Sequence, residues 1–330
     1  MPTLPDLAAV RAAHARIRPH VLRTPVLTSS ALDSEVGARL FFKCENFQEI
    51  GAFKARGASN AVFCLTDEEA ARGVLTHSSG NHGAALAYAA ARRGIPAWVV
   101  MPDNASQAKL QNVRRYGARV HLCRPTVVAR EVMCAEVQAA TGAVLVHPFD
   151  DERVIAGQGT AALELLEEIP DLEAIIAPVG GGGLLSGTAI VAKAVRPDVQ
   201  VHGAEPANAD DAARSFRSGR VEPVATTTTI ADGLRTTLSQ RTLEALRTNV
   251  ASIGLASEAG IIRAMRMTWE RMKIVVEPSA AVPLACLLER TLDVRGRRVG
   301  IIVSGGNVDL DHLPWQQQDA RESTLLAKEP

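Results

Sequence analysis

One lysine of this sequence is placed as a reactive amine would need to be. Lys54 lies in the segment GAFKARG, directly after Phe53 and two residues before Arg56, and it follows the apolar run LFFKCE at 40–45. A lysine that is held at a fixed point and kept unprotonated is a nucleophile toward carbonyl groups. Taken alone, however, the segment is more simply explained as a solvated lysine at the start of a helix.

A dense group of small polar residues follows the next strand-like segment, GVLTHSS at 73–79. The turn that leads into a predicted helix contains four of them: Ser78, Ser79, Asn81 and His82. Hydroxyls, an amide and free N–H groups at a helix N-terminus form a site for a carboxylate or a phosphate. An ordinary polar turn with a helix cap is the alternative interpretation.

Four consecutive glycines lie in PVGGGGLLSG at 178–187, again between a predicted strand and a predicted helix. Such a run is conformationally costly in a loop, but it lets backbone N–H groups close around a phosphate at a helix start. The segment lacks the Gly-Lys-Ser/Thr of a Walker loop, and no GxGxxG motif opens a first βαβ unit. The glycine segment therefore predicts a phosphate site that belongs neither to a nucleoside triphosphate nor to a dinucleotide.

A fourth segment, IIVSGGNVDL at 301–310, ends a predicted strand at Ser304. A hydroxyl at this point can hydrogen-bond a ring nitrogen of a bound heterocycle, although it could equally cap the next segment. Together the four segments supply an amine nucleophile, a polar loop, a phosphate cradle and a polar anchor. These are the parts needed to hold an aromatic aldehyde phosphate, whose aldehyde would condense with Lys54 as a Schiff base.

The elements that must position these segments are strands and helices in alternation. Helical periodicity covers segments such as 81–94, 107–117, 152–169 and 185–196. Strand-like apolar runs occur at 40–45, 73–79, 97–102, 118–123, 143–148, 174–179, 199–206, 273–278 and 299–306. This alternation predicts an α/β fold with mainly parallel sheets covered by helices on both faces, and ligands of such sheets bind at the carboxyl ends of the strands.

The number of strands predicts two domains, each a mainly parallel sheet flanked by helices. We expect residues 51–148 to form the smaller domain and residues 1–50 with 149–318 to form the larger one, followed by a polar tail at 319–330. Basic and acidic residues balance at 36 each, which argues against nucleic acid or an anionic membrane surface as the main partner. The five scattered cysteines, the lack of a signal core and the lack of a membrane-length apolar run predict a cytoplasmic protein.

The motifs GAFKARGA, SSGNHG, VGGGGLLSG and SGGNVDL, in this order, resemble those of fold type II (tryptophan synthase β-like) pyridoxal-phosphate enzymes. The similarity is greatest to the serine racemase and serine/threonine dehydratase group and extends over about residues 5–315. It implies that Lys54 is the Schiff-base lysine and general base, and that the larger domain binds the cofactor. The cofactor contacts that it implies are Phe53 on the ring, Asn81 at the ring hydroxyl, Gly180, Gly181, Gly182, Gly183 and Leu184 at the phosphate, and Ser304 at the pyridine nitrogen.

The resemblance also implies a substrate site and a metal site. The substrate carboxylate would rest on Ser78, Asn81 and His82, and Arg130 matches a position near the substrate where it could receive a second carboxylate. In GAEPANADDA at 203–212, the matching metal ligands are Glu205, the Ala209 carbonyl and Asp211, for Mg²⁺ or alternatively Ca²⁺ or Mn²⁺. Taken without the resemblance, this segment is a solvated acidic turn and Arg130 an ordinary helical arginine.

The implied activity is the deaminating dehydration of serine, threonine or 3-hydroxyaspartate to a 2-oxo acid and ammonia. Ser79 lies, by resemblance, on the opposite face of the substrate from Lys54, so an amino-acid racemase with dehydration as a side activity is the alternative. A catalytically inactive binding protein and a nicotinamide-dependent oxidoreductase are disfavoured by the intact lysine and glycine segments and by the missing dinucleotide motif. The family resemblance further implies a homodimer.

Overall fold

The computed structural model of the chain describes residues 3–78, 80–105, 107–224 and 228–316. The α-helices are α1 (Leu7–Ile17), α2 (Ser30–Val36), α3 (Lys54–Phe63), α4 (Asp67–Arg72), α5 (Asn81–Arg93), α6 (Gln107–Arg114), α7 (Val127–Thr141), α8 (Glu152–Glu168), α9 (Gly183–Val195), α10 (Asp211–Ser218), α11 (Gln240–Asn249), α12 (Glu258–Met272) and α13 (Pro278–Leu288). The strands are β1 (Val26–Leu27), β2 (Arg39–Cys44), β3 (Val74–His77), β4 (Ala97–Pro102), β5 (Arg119–Cys123), β6 (Val144–Leu145), β7 (Ala174–Pro178), β8 (Gln200–Pro206), β9 (Ser252–Ala256) and β10 (Arg298–Val303).

The strands form two sheets, which confirms the predicted α/β class. Six strands form one sheet in the order β1-β2-β10-β7-β8-β9, in which every neighbouring pair is parallel except the short β1 with β2. Four strands, all parallel, form the other in the order β5-β4-β3-β6. Each sheet has apolar clusters of its own, so two cores hold the structure together.

The central strands are apolar along their whole length because helices cover both faces of the sheets. Every residue of β4 and of β7 is buried, as is all of β10 except its first residue. Near-continuous apolar runs of this kind are expected for parallel strands and made them recognisable in the sequence. In the described part of the chain, no helix combines the length and hydrophobicity needed to cross a bilayer.

One predicted strand, at 273–278, is not a strand. Ile274 and Val276 are buried and Val275 is exposed, so the segment has the alternation of a strand. Its carbonyl groups, however, accept hydrogen bonds from side chains: the Asn46 amide donates to Val275 O and the Trp269 indole to Val276 O. The segment therefore joins no ladder. Conversely, the short β9 was not predicted from the sequence, because its Ser, Gly and Ala residues have low strand propensity.

The helices differ in whether a side chain caps their first turn, which helps to decide whether the N–H groups of that turn can bind a ligand. Asp, Ser or Thr side chains cap the first turns of α1, α4, α7, α8, α11 and α12. By contrast, α3, α5 and α9 begin after Phe53, Gly80 and Gly182 without a side-chain cap, and α2, α10 and α13 lack one as well. In α3, the N–H groups of Ala55 and Arg56 already donate to backbone carbonyls. The first N–H groups of α5 and α9 are left for another partner.

A cluster of four buried charges joins β2, α3 and α8. It contains Lys43, Glu45, Arg56 and Glu164, each at most 2% exposed, and we refer to it as the buried ionic cluster. The Arg56 guanidinium donates to Glu45 at 2.7 and 2.9 Å and to Glu164 at 2.8 and 2.9 Å. Lys43 Nζ donates to Glu164 at 2.6 Å. Two cations and two carboxylates therefore neutralise one another inside the protein.

We expect Arg56→Met to lower the free energy of unfolding by about 3–5 kcal/mol, because it leaves two carboxylates buried without their main partner. Urea denaturation of purified protein measures this loss. The matched control is Arg23→Met, since Arg23 pairs with Glu167 at 2.9 Å on the surface and both side chains are about half exposed. The control should change the free energy by about 1 kcal/mol or less. Similar losses in both variants would contradict the expectation.

Candidate active site

In each sheet the strand order reverses at one point, and the predicted motifs lie in the loops at these two reversal points. In the four-stranded sheet, β3 lies between β4 and β6, and the loops after β3 and β6 contain SSGN and HPF. In the six-stranded sheet, β7 lies between β8 and β10, and the loops after β7 and β10 contain the four glycines and SGGN. Such reversal points open a crevice at the carboxyl ends of the strands, where α/β proteins bind ligands. The chain thus presents two such crevices, each carrying predicted motifs.

Lys54 is the first residue of α3 and is partly buried. Its Nζ donates a hydrogen bond to the carbonyl of Pro148 at 2.7 Å and lies 5.1 Å from the centre of the Phe53 ring. Burial lowers the pKa of Lys54 to about 8. No carboxylate in the described part of the chain pairs with this amine, so a substantial fraction is neutral and nucleophilic near physiological pH.

The backbone that precedes Lys54 is fastened to the loop after β10. Phe53 N donates to Ser304 O at 3.0 Å, and Gly306 N donates to Gly51 O at 2.9 Å. Ala52 and Gly305 form an isolated antiparallel bridge between them. Ser304 is 2% exposed, and its hydroxyl has no hydrogen-bond partner among the described residues. The structure therefore places Lys54 and the unpaired hydroxyl of Ser304 at the two sides of one short backbone pairing.

The four glycines form a buried turn that leads from β7 into α9. Gly182 has a φ of 87°, and the first hydrogen bond of α9 is donated by Ser186 N to Gly182 O. A Cβ at Gly181 would come within 2.2 Å of the Phe149 ring, so this position requires glycine. The N–H groups that precede Ser186 remain for an anion. The side chain of Leu184 packs in the core, which leaves only its backbone N–H for such a contact.

Pro148 and Phe149 link the lysine to the glycine turn. The carbonyl of Pro148 receives the Lys54 amine, and the adjacent Phe149 ring lies against Gly181. The sequence reasoning did not identify either residue as functional. Their position at the end of the predicted strand 143–148 was the available signal, because the carboxyl ends of parallel strands form the binding edge of the sheet.

The start of α5 contains three of the predicted substrate residues. Ser78 follows β3, and its hydroxyl accepts a hydrogen bond from Gly80 N at 3.2 Å. Asn81 donates through its side-chain amide to Glu277, a residue of the six-stranded-sheet region. Ser79, the predicted second catalytic residue, lies outside the residues that the structure describes.

The ring of His82 is buried and electrically neutral. Burial, followed by the charge of Lys54, holds the pKa of His82 well below its usual range. Its Nε2 lies 3.2 Å from the carbonyl of Val146, which can only accept, so Nε2 carries the proton. Its Nδ1 is then an acceptor, and it has no partner among the described residues. A carboxylate at this place would therefore contact the helix N–H groups rather than the imidazole.

Two further histidines, which the sequence reasoning did not assign, lie between His82 and Arg130. The rings of His77 and His147 are 5.7 Å apart. Burial, and then the charge of His77, lower the pKa of His147 to about 4, while burial, and then the charge of Arg130, lower the pKa of His77. Both imidazoles are therefore neutral, and Arg130 is the cation of this group. In the part of the chain that the structure describes, no carboxylate pairs with Arg130.

The predicted metal residues lie together at the carboxyl end of β8. The Glu205 oxygens accept from Ala212 N at 2.7 Å and Ala213 N at 2.8 Å, and burial raises the pKa of Glu205 to about 9. Both oxygens of Asp211 are buried without a partner, and burial raises its pKa to about 7. No group of three or more His, Cys, Asp or Glu side chains suited to a metal occurs among the described residues. A cation here would need the Ala209 carbonyl and water as further ligands.

The sequence is similar to one family over most of its length. The profile of a family described as pyridoxal-phosphate dependent enzyme matches residues 17–305. A β-hydroxyaspartate dehydratase of Paracoccus denitrificans (strain Pd 1222) is 53% identical over 315 residues, which cover 96% of this chain and 99% of that protein. A serine racemase of Oryza sativa subsp. indica is 49% identical, with 94% of this chain and 93% of that protein covered.

Solved structures of serine racemases and of a threonine deaminase are also similar to this chain. Maize serine racemase superposes with a TM-score of 0.92 and 46% identity, covering 98% of this chain and 99% of that chain. The serine racemase of Dictyostelium discoideum superposes with a TM-score of 0.89 and 48% identity, covering 92% and 99%. A solved threonine deaminase superposes with a TM-score of 0.87 and 44% identity, covering 93% and 99%. The resemblance inferred from the four motifs is thereby confirmed.

We expect Lys54 in the cofactor-free protein to react with amine reagents at an unusually low pH. Reductive methylation requires the neutral amine, so its rate at Lys54 should rise with pH and reach half of its maximum near pH 8. A lysine in a free peptide, with a pKa of about 10.4, serves as the comparison. Mass spectrometry of the peptide that contains Lys54 measures the rate. A midpoint at the value of the free peptide would contradict the burial of this amine.

Proposed function

Because the chain belongs to the family of pyridoxal-phosphate dependent enzymes, we propose that it catalyses the deaminating dehydration of a β-hydroxy amino acid and that 3-hydroxyaspartate is its preferred substrate. The observation that carries the proposal is the partly buried Lys54, whose lowered pKa and contact with Pro148–Phe149 join it to the glycine turn. The names of the relatives support dehydration, and the P. denitrificans relative supports the dicarboxylic substrate.

The residues of the site fit pyridoxal phosphate. The uncapped start of α9 offers N–H groups to the phosphate, and the unpaired hydroxyl of Ser304 suits the ring nitrogen. Phe53 offers an aromatic face beside Lys54, and Asn81 offers an amide to the ring hydroxyl. When bound, the cofactor supplies an aldehyde that condenses with amines and a ring system that accepts electrons from Cα. A visible absorption band that Lys54→Ala abolishes would support these roles, and its absence from the wild-type protein would refute them.

Residues of the protein itself carry out proton transfer and hold the substrate. We assign to Lys54, once its amine is displaced by that of the substrate, the removal of the Cα proton; a pKa of about 8 suits a general base. The N–H groups at the start of α5, among them the backbone N–H of Asn81, hold the substrate carboxylate together with Ser78. Ser304 offers a neutral hydroxyl to the ring nitrogen and not a carboxylate, so it does not keep a proton there as an acidic residue would. That arrangement favours rapid loss of the β-hydroxyl group.

Arg130 is the residue to which we assign the second carboxylate of 3-hydroxyaspartate. It is partly buried, it has no carboxylate partner among the described residues, and its charge acts on His77. His77 and His147 are neutral and offer hydrogen bonds without competing for the anion. A guanidinium binds a carboxylate through paired N–H groups and is suited to this task.

We expect Arg130→Ala to raise the KM for 3-hydroxyaspartate about tenfold or more, which corresponds to the loss of a charged hydrogen bond. The KM for L-serine should change little, because serine has no second carboxylate. The measurement is 2-oxo acid formation from L-serine, D-serine, L-threonine and the 3-hydroxyaspartate diastereomers. Arg124→Ala, an exposed arginine just before α7, is the control. An equal loss with serine would remove Arg130 from substrate selection.

Racemisation is the second candidate activity, because serine racemases of several organisms are 43–49% identical to this chain. By family resemblance, Ser79 would protonate Cα from the face opposite Lys54. The same substrate panel distinguishes the two candidates when the remaining amino acid is analysed by chiral chromatography. Inversion that outpaces 2-oxo acid formation would make the chain a racemase with dehydration as the side activity.

We further propose that Glu205, the Ala209 carbonyl and Asp211 bind a divalent cation, with Mg²⁺ favoured over Ca²⁺ and Mn²⁺. The two unpartnered oxygens of buried Asp211 support this assignment, because such a group is costly unless a cation or proton compensates it. The raised pKa values of Glu205 and Asp211 mean that a cation displaces protons on binding.

Mg²⁺ should therefore raise the thermal unfolding temperature more strongly at pH 8 than at pH 6. Asp211→Asn should abolish this stabilisation, which differential scanning fluorimetry with and without chelator measures. Asp210→Asn is the matched control, because its carboxylate lies in the same segment and already pairs with Arg214 at 2.8 Å. Stabilisation that survives Asp211→Asn would refute the site.

Three broader assignments are also proposals. The two separate cores support a smaller domain at 51–148 and a larger one at 1–50 with 149–318. Limited proteolysis, with cleavage near these boundaries, tests the division. The homodimer implied by the family resemblance is tested by light scattering of the purified holoenzyme, and the cytoplasmic location by cell fractionation.

A further inference from the structure

We propose that Glu277 is a positioning residue that holds the side-chain amide of Asn81 in the orientation needed for the cofactor. The inference rests on the proposed cofactor roles of Lys54 and Asn81. Glu277 immediately precedes α13 and is 6% exposed, and its carboxyl group does not cap that helix. It points instead toward Asn81, at the start of a helix of the other sheet.

The amide of Asn81 is held from two sides. Its Nδ2 lies 3.0 and 3.2 Å from the two oxygens of Glu277, and its Oδ1 accepts from Asn307 Nδ2 at 2.8 Å. Asn307 also donates to Ile50 O at 2.8 Å, so both of its amide hydrogens are used. Turning the Asn81 amide over would set its oxygen against the carboxyl group of Glu277. Glu277 and Asn307 therefore fix the orientation of the Asn81 amide, with its nitrogen toward Glu277 and its oxygen toward Asn307.

This arrangement leaves one donor of Asn81 unused. Both contacted oxygens belong to one carboxyl group, so a single N–H of Asn81 serves both. The other N–H points away from Glu277 because the two hydrogens of an amide diverge. We assign it to the ring hydroxyl of pyridoxal phosphate. Without Glu277, rotation about the last side-chain bond would no longer be restricted by an acceptor.

The packing around Glu277 indicates that its position is tightly set. A Cβ on Gly305 would lie 2.6 Å from Glu277 Oε1 and 3.1 Å from Cβ of Ala52, so a side chain there would displace the carboxyl group of Glu277. Glu277 N donates to Gly305 O at 3.0 Å. The carboxyl group thus lies against the backbone pairing that joins Ser304 to the segment before Lys54, and it also contacts Asn81.

The charge of Glu277 is not essential to this role. Burial, followed by the charge of Asp232, raises its pKa to about 8, and the cation that opposes this shift, Lys109, already pairs with Asp232. Charged or protonated, the group keeps an oxygen that accepts from Asn81. The role therefore requires an acceptor at this point, and a glutamine provides one whereas a methionine does not.

Four variants of the holoenzyme test the inference: Glu277→Met, Glu277→Gln, Asn81→Ala and the double variant Glu277→Met/Asn81→Ala. We expect Glu277→Met to raise the Kd for pyridoxal phosphate about tenfold and to shift the pH midpoint of the visible absorption band. Glu277→Gln should remain within about threefold of wild type. The double variant should bind the cofactor no more weakly than Asn81→Ala, because Glu277 acts through Asn81. Glu168→Met, at an exposed glutamate at the end of α8, is the control and should match wild type.

Three results would overturn the inference: wild-type behaviour of Glu277→Met, additive effects in the double variant, or equal losses with methionine and glutamine, which would indicate a role for the charge. If Glu277→Met fails to fold, Asn307→Ala replaces it in the same cycle, since Asn307 is exposed and holds the other side of the amide. A wild-type protein without the visible band would overturn the proposed function together with this inference.

Discussion

The buried ionic cluster is the constraint on which the position of the site depends. Arg56 lies two residues after Lys54, and its guanidinium is shared between Glu45, which follows β2, and Glu164 of α8. Hydrogen bonds and the charges of Arg56 and Lys43 outweigh burial and keep the pKa of Glu164 low. Removing charges from water is so costly that these groups tolerate no arrangement in which one is unpaired. The start of α3 is thereby fixed relative to two elements of the larger sheet region.

The loops at the reversal points of the two sheets lie against one another near the start of α3. The Lys54 amine contacts Pro148, the backbone before it pairs with the loop at Ser304, and Phe149 closes the glycine turn. Two of the helices that begin there, α5 and α9, have neither a side-chain cap nor a backbone partner for their first N–H groups. The local cost of an open helix start is accepted where a ligand can satisfy the N–H groups.

The sequence alone predicted the α/β class and the four segments of the site. This was possible because each of the three loop motifs directly follows a parallel strand, and parallel strands bring their carboxyl ends to one edge. It did not reveal Glu277 or Asn307, which contact Asn81 from distant parts of the chain. The apolar run at 273–278 predicted a strand, but an apolar run shows only that side chains are buried and not whether a neighbouring strand exists. Tertiary context decided that segment.

The pairing of β2 with β10 has a consequence for biosynthesis. These strands lie near opposite ends of the chain, yet they are neighbours, and the loop after β10 holds the segment before Lys54. A growing polypeptide on the ribosome can complete the four-stranded sheet early, since all of its strands lie within residues 74–145. The segment before Lys54, by contrast, gains its pairing with the loop after β10 only once that strand has been made. The site is therefore completed later in synthesis than the four-stranded sheet, which carries two of its four loops.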